Sequence, residues 1–332
     1  MGSIPSPGTI LQTMPTEPRL NHFLGFGPHG FHRVAYTEWG NPEGRHLVVC
    51  VHGLTRNSRD FDELAASLSS RGCRVVCMDV VGRGDSDWLE HKEDYGFAQY
   101  LSDSAALLAR LTPPPYKVSL LRRLQGASEG PRIDWIGTSM GGLIGMMLAA
   151  KPNSPIRRLV LNDVGPLLPW HALVRLKLGS SGAGARFRNL DEVERHLRET
   201  CASFGPLEDG QWRRLAQHGS RRGEDGTYTL ACDPAIVSTL RRGGNAGVEF
   251  GNDFLFGVNL WPVWDTVECP TLVLRGAQSD LLLKSTVRRM QDGGPRVELV
   301  EFAGIGHAPW LMSEDQIGPV SEFILAAEPL RR

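Results

Sequence analysis

The sequence predicts an α/β fold in which a mostly parallel sheet carries helices on both faces. Three observations carry this expectation. Apolar runs of strand length alternate with segments of helical spacing along most of the chain. A glycine-flanked serine, Gly137-Thr138-Ser139-Met140-Gly141-Gly142, stands where one such run meets one such segment. About a hundred residues without strand alternation then interrupt the pattern between Asp163 and Thr271.

The elements follow in order. Residues 1 to 20 carry four prolines and no apolar stretch of signal-peptide length, so they read as a flexible arm. A first strand covers about Phe31 to Trp39 and turns at Asn41-Pro42-Glu43-Gly44. His46 to Val51 is a second strand, followed by the loop His52-Gly53-Leu54-Thr55. Ser58 is placed to cap a helix with Phe61, Leu64, Ala65 and Leu68 at helical spacing, and Gly72 ends it. Arg74 to Asp79 is the next strand, and Tyr100 to Leu111 a helix stopped by Pro113-Pro114-Pro115. Residues 112 to 131 exceed an ordinary connection, and Leu120, Leu121 and Leu124 suggest a short extra helix at the end of the strand remote from Ser139.

Ile133 to Ile136 is a strand and Leu143 to Ala150 a helix, with Ser139 on the corner between them. Such a corner lifts a serine hydroxyl clear of the sheet edge. A Cβ on Gly137 or Gly141 would collide with the facing segment where strand and helix nearly touch. Arg158 to Asp163 is a further strand. The long interruption contains helix-like stretches at Trp170 to Leu178, Leu190 to Phe204 and Gly210 to His218, with a flexible break at Gly179-Ser180-Ser181-Gly182-Ala183-Gly184. Because it leaves and rejoins the sheet at its active edge, it is expected to form a helical cap over the serine. Its aromatic residues, Trp170 among them, supply the cap core and an apolar pocket.

Serine is a weak nucleophile at neutral pH, so it needs a base and a carboxylate that orients the base. Arg296 to Phe302 alternates as a strand and runs into Ala303-Gly304-Ile305-Gly306-His307-Ala308-Pro309-Trp310, a loop that brings His307 over the active face. Pro270 to Gly276 reads as a buried parallel strand, and Ala277-Gln278-Ser279-Asp280 puts a carboxylate four residues beyond its glycine. Asp280 is the favoured acid, since it ends the better-formed apolar run directly before the His-bearing strand. Asp163, at the end of its own strand, is the alternative acid, because triads are recognised by geometry. Backbone N–H groups of Leu54 and Met140 are the candidate oxyanion donors. His52 reads as a packing and hydrogen-bonding residue of the turn.

Taken in order, His52-Gly53, the stretch Asp79-Val80-Val81-Gly82-Arg83-Gly84-Asp85-Ser86-Asp87, the Ser139 corner, Leu272 to Asp280, and Gly306-His307-Ala308 resemble the α/β-hydrolase superfamily, in particular its capped serine esterases. The resemblance covers roughly residues 30 to 325. It implies an eight-stranded-type sheet flanked by helices, with a helical cap between strands 6 and 7. Residues 21–165 and 263–332 would then form the core and 166–262 the cap. It also implies Ser139 as nucleophile, Asp280 as acid and His307 as base, with Gly82-Arg83-Gly84 buttressing the site. A serine in place of an aspartate nucleophile argues against haloalkane dehalogenases and epoxide hydrolases.

At 332 residues, 41% hydrophobic and 22% charged with a net charge of −1, the composition is that of a globular chain long enough for a large core. Near-neutral charge gives no reason to expect nucleic acid or an anionic membrane as partner. Arg122-Arg123, Arg213-Arg214, Arg221-Arg222 and Arg241-Arg242 read as solvated helix faces. Six cysteines show no metal-ligand spacing and no disulfide framework. No segment approaches the ~18 uninterrupted apolar residues of a membrane span, so cytoplasmic residence is the default.

The expected function is hydrolysis of small or medium carboxylic esters, hydroxyacid oligomers and lactones included, through an acyl-enzyme and with neither metal nor organic cofactor. Arg56, Trp170 and Trp310 are candidate substrate-binding residues. The same constellation serves carbon–carbon hydrolases of ring-fission diketones, amidases and cofactor-free haloperoxidases, and the same scaffold serves non-catalytic ligand receptors. The sequence sets no oligomeric state.

Overall fold

A computed structural model describes residues 17–112, 132–172, 174, 184–241 and 258–327. The extra helix expected within 112–131, most of Trp170 to Leu178, the Gly179 to Ala183 break and Arg122-Arg123 lie outside the described residues.

Eight strands form the main sheet: β1 (Arg19–Gly27), β2 (Gly30–Trp39), β3 (His46–Val51), β4 (Arg74–Met78), β5 (Arg132–Thr138), β6 (Ile156–Asn162), β12 (Thr271–Gly276) and β13 (Val297–Phe302). Their order is β1-β2-β4-β3-β5-β6-β12-β13. The pairs β1/β2 and β2/β4 are antiparallel, and the other neighbours are parallel. The central strands are buried on both faces, which is why Leu47 to Val51 and Leu272 to Leu274 read as continuous apolar runs.

One face carries α1 (Asp62–Ser70) and α9 (Glu314–Leu325), packing Leu64, Leu68, Ile317 and Val320 on Val48, Cys50 and Leu274. The other carries α2 (Phe97–Leu111) and α3 (Met140–Ala149), with Leu107 and Ile144 against Val49 and Trp135. Each fully buried Leu or Ile contributes roughly 1.5–3 kcal/mol. The helix expected after Ser58 enters through a 3-10 turn, Ser58–Phe61, and its cap is Asn57, whose Oδ1 accepts the Arg59 N–H at 3.0 Å. All six cysteines are free.

Two expectations are corrected. Arg19 and Leu20, expected within the N-terminal arm, belong to β1 and run in register with β2, while residues 1–16 of that expected arm lie outside the described residues. The alternation of β1 points the large apolar residues Leu20, Leu24 and Phe26 outward, while the inward face carries Phe23 and Gly25. Gly25 is small for a reason: a Cβ there would lie 2.4 Å from Asp103 Oδ1 and 2.5 Å from His32 Nε2. The segment between β6 and β12 is also not purely helical. It holds β7 (Leu167–Leu168) paired with β11 (Val258–Asn259), and a three-stranded sheet of β8 (Arg186–Phe187), β10 (Tyr228–Leu230) and β9 (Ser220–Arg222). It also holds the helices α4 (Leu190–Thr200), α5 (Asp209–His218), α6 (Pro234–Arg241) and α7 (Trp261–Trp264), before α8 (Lys284–Asp292) of the core. Strands of two or three residues are too short for alternation to reveal.

The inserted segment is stitched to the core loops at the carboxyl ends of the strands. Gly84 N–H donates to Ala231 C=O at 2.8 Å and Asp233 N–H to Gly82 C=O at 2.8 Å. Asn57 Nδ2 donates to His218 C=O at 3.0 Å, and Gly306 N–H to Ser203 C=O at 2.6 Å. Among the described residues no helix is long and apolar enough to cross a membrane.

Candidate active site

β5 ends at Thr138 and α3 begins at Met140, leaving Ser139 alone on the corner at φ 52° and ψ −113°. A positive φ at a non-glycine residue costs about 1–3 kcal/mol and persists only where the surroundings over-determine it. Here they do. A Cβ on Gly141 would come within 2.0 Å of Val51 C=O, and one on Gly137 within 2.3 Å of the Gly141 backbone. Only bare backbone fits, so the corner is locked and the half-buried serine stands out of it.

His307 Nε2 lies 2.9 Å from Ser139 Oγ, and its Nδ1 lies 2.8 Å from Asp163 Oδ2. The carboxylate paired with the histidine is therefore Asp163, not Asp280. Asp163 follows β6 directly, is fully buried, and accepts two further hydrogen bonds, from Gly276 N–H at 2.9 Å and Ser279 Oγ–H at 2.6 Å. Together with the imidazole, these two donors fix the carboxylate's position. In the loop after β12 it is Ser279 that turns inward, also accepting the Leu281 and Leu282 N–H groups at 3.2 and 3.1 Å. Asp280, next in line, is half-buried, and its main-chain carbonyl lies 3.2 Å from His171 Nε2. Arg275 holds this loop through the Leu282 carbonyl at 2.7 Å and the Ser279 carbonyl at 3.3 Å.

Sequence reasoning missed Asn162. Its carbonyl accepts the Ser139 N–H at 3.0 Å, while its Nδ2 donates to Pro309 C=O at 2.8 Å and Thr138 Oγ1 at 3.0 Å. One side chain thus ties the strand that leads into Ser139 to the histidine loop. The signal was a polar pair, Asn162-Asp163, closing the apolar run Leu159-Val160-Leu161.

The loop after β3 is ordered from below. His52 Nε2 accepts the Val80 N–H at 3.0 Å, which fixes the ring proton on Nδ1, and that proton goes to Gly53 C=O at 2.7 Å. The Arg56 N–H reaches the same carbonyl at 3.2 Å. In a planar trans peptide the N–H opposes the C=O, so anchoring the Gly53 carbonyl sets the direction of the Leu54 N–H. Burial, helped by the charges of Arg83 and Arg56, pushes the His52 imidazole down to about 3, so it stays neutral. Met140, the first residue of α3, presents its N–H at a helix N-terminus. Asp79 underpins the neighbouring turn, accepting Ser58 N–H at 2.6 Å and Asp85 N–H at 2.8 Å. Burial raises its carboxyl to about 6.

Of the candidate binding residues, Arg56 is clamped by Asp60 through Nε at 2.8 Å and Nη2 at 2.6 Å, and its guanidinium lies 5.3 Å over Trp310. Trp310 is 6% exposed, with Phe204 at 4.9 Å and Trp212 at 5.8 Å between ring centroids. Phe204 also stands edge-on to His307 at 6.4 Å, so residues of the inserted segment reach the histidine. Trp170 is half-buried beyond β7. Among the described residues no cluster of His, Cys, Asp or Glu is arranged to hold a metal ion.

The geometry can be set beside known proteins. The chain is 40% identical over 317 residues to the 3-hydroxybutyrate-oligomer hydrolase of Cupriavidus necator, covering 95% of this chain and all of that one. It is 24% identical over 261 residues to the 2-(acetamidomethylene)succinate hydrolase of Mesorhizobium japonicum, covering 79% of this chain and 81% of that one. The crystal structure of an α/β hydrolase from Novosphingobium aromaticivorans superposes with a TM-score of 0.72 at 33% identity, over 93% of this chain and 98% of that one. The profile of the Alpha/beta hydrolase family matches residues 48–318. With that match over most of its length, the chain belongs to the α/β-hydrolase family and is a hydrolase.

Proposed function

We propose that this hydrolase cleaves carboxylic esters of short hydroxyacids, linear 3-hydroxybutyrate oligomers among them, through Ser139, His307 and Asp163. The hydrogen-bonded row from Ser139 Oγ through the imidazole to the Asp163 carboxylate carries the reading. The full-length relative that hydrolyses 3-hydroxybutyrate oligomers supports the substrate class.

In this reading Ser139 Oγ attacks the ester carbonyl while His307 Nε2 takes its proton. Asp163 stabilises the imidazolium and keeps Nδ1 as a donor. The N–H groups of Leu54 and Met140 hold the oxyanion, each donor being worth about 3 kcal/mol in the barrier. The C–O bond then breaks, the leaving alkoxide takes the proton from His307, and water repeats the sequence on the acyl-enzyme. Every proton is accounted for by these three side chains. Arg56, Trp170 and Trp310 form the substrate-facing set. Asp60 occupies Nε and Nη2 of Arg56, so Nη1 is the edge offered to the free carboxylate of a hydroxyacid oligomer.

The test is chromatographic. Wild type is expected to convert the dimer and trimer of 3-hydroxybutyrate to monomer, and Ser139→Ala to lose about 10⁴-fold or more in kcat. A wild-type enzyme that hydrolyses nitrophenyl acetate yet leaves dimer and trimer intact removes the substrate class. Equal rates in wild type and Ser139→Ala remove the nucleophile.

A further inference from the structure

Arg83 is a guanidinium with 0% exposure, and among the described residues no carboxylate pairs with it. Its Nε donates to Leu54 C=O at 2.8 Å, its Nη1 donates to Val81 C=O at 2.8 Å, and its Nη2 reaches Met140 Sδ at 3.7 Å. The face of Tyr100 lies 4.8 Å from its Cζ. Carbonyl dipoles, a thioether and a ring satisfy its donors, but none cancels its charge. An unpaired buried ion costs several kcal/mol, and an apolar side chain of similar size would fill the space without that penalty. The feature therefore calls for a compensating role, and its contacts indicate one. The two residues assigned above as oxyanion donors, Leu54 and Met140, are both touched by this one side chain.

We propose that Arg83 is a positioning residue that anchors the chain just after the Leu54 N–H, through the carbonyl of the following peptide, and sets a positive potential behind the oxyanion site. The inference rests on the ester-hydrolysis reading above and deepens it. A ground-state ester carbonyl is neutral, whereas the tetrahedral intermediate carries a full negative charge on that oxygen. A fixed cation in a water-poor surrounding therefore stabilises the transition state more than the bound substrate. The same potential acts on His52, whose imidazole is held neutral by burial together with the Arg83 and Arg56 charges. Because Arg83 also lies in the bridge to Cys232 of the inserted segment, the potential is shielded from solvent on that side.

Two substitutions separate charge from scaffold. Arg83→Gln keeps a donor for the Leu54 carbonyl and removes the charge. Arg83→Lys keeps the charge and loses the fork. With nitrophenyl acetate, Arg83→Gln is expected to lose about 100-fold in kcat with KM within about threefold of wild type. Arg83→Lys should hold kcat within about tenfold near pH 7 and lose it progressively toward pH ~10, as the buried ammonium deprotonates where a guanidinium does not. An alkyl boronate, which forms an anionic adduct on Ser139, should weaken in step with kcat. Folding of each variant is checked by its thermal transition. A folded Arg83→Gln with kcat within about threefold of wild type overturns the proposal. If Arg83→Gln does not fold, an Arg83→Lys profile superimposed on that of wild type up to pH ~10 overturns it equally. Ser139→Ala is run alongside: activity surviving there defeats the underlying site reading, whereas an inactive Ser139→Ala beside an unimpaired Arg83→Gln defeats only the role of Arg83.

Discussion

At the scale of single residues, Asp163 and Asp280 divide cleanly. Asp163 makes the 2.8 Å contact to His307 Nδ1, and the inward position after β12 belongs to Ser279. Asp163→Asn is expected to lower kcat by about 10³–10⁴-fold, because the amide favours the wrong imidazole tautomer and no longer stabilises the imidazolium. Asp280→Asn should stay within about threefold of wild type in the same assay. The reverse ranking in kcat would return the acid to Asp280. The serine corner and the histidine loop were legible because their glycines and flanking runs are local patterns. The carboxylate that pairs with His307 was not, because two strands each end near an aspartate, and choosing between them needs the distance to a ring 144 residues away from Asp163 in sequence. Asn162 was hidden for the same reason: its three bonds reach the end of β5, Ser139 and the histidine loop, all distant in sequence.

At the scale of elements, the 3-10 turn Ala202–Phe204 sits on the histidine loop, and its exit depends on Gly205. That residue has φ +107°, and a Cβ would meet Ile305, two residues before His307, at 3.2 Å. Gly205→Ala is expected to cost about 1–3 kcal/mol in urea unfolding and to lower kcat more than it changes KM, since the strain falls on the base. Unchanged unfolding and kcat would show that the turn relaxes freely. The central parallel strands of the main sheet were readable as apolar runs and β13 by its alternation, while α1 and α2 showed in their spacing and α3 as the run after the serine corner. β1 escaped because its exposed face carries the larger side chains: Phe26 and Phe31 pack on each other outside the sheet at 5.1 Å between ring centroids. The short sheet β8-β10-β9 escaped because its strands have two or three residues.

At the scale of the whole molecule, a second charge cluster lies at the opposite end of the sheet. His46 Nε2 is 2.7 Å from Asp134 Oδ2, and Arg158 Nη1 is 3.7 Å from the same oxygen. The hydrogen bond to Asp134 raises the imidazole to about 9. Since the folded value lies above the unfolded ~6.5, the stabilisation is fully present below ~6.5 and is lost as pH rises toward 9. Wild type should therefore lose roughly 2 kcal/mol between pH ~6.5 and ~9, and His46→Gln should flatten that decline in denaturant titrations. Parallel curves for the two proteins would refute the assignment. Below pH ~6.5 the sign reverses at His52, whose depressed imidazole makes the fold less stable as acid charges the unfolded chain.

The position of Asp163, the proposed acid, directly after β6 has a geometric corollary. Asn162 grips the main chain of Ser139 and Asp163 grips the imidazole, so two bonded neighbours set both ends of the proposed proton relay. Any slip or breathing of that strand displaces the two grips as one body. The spacing from hydroxyl to carboxylate is thereby gauged by a single peptide unit.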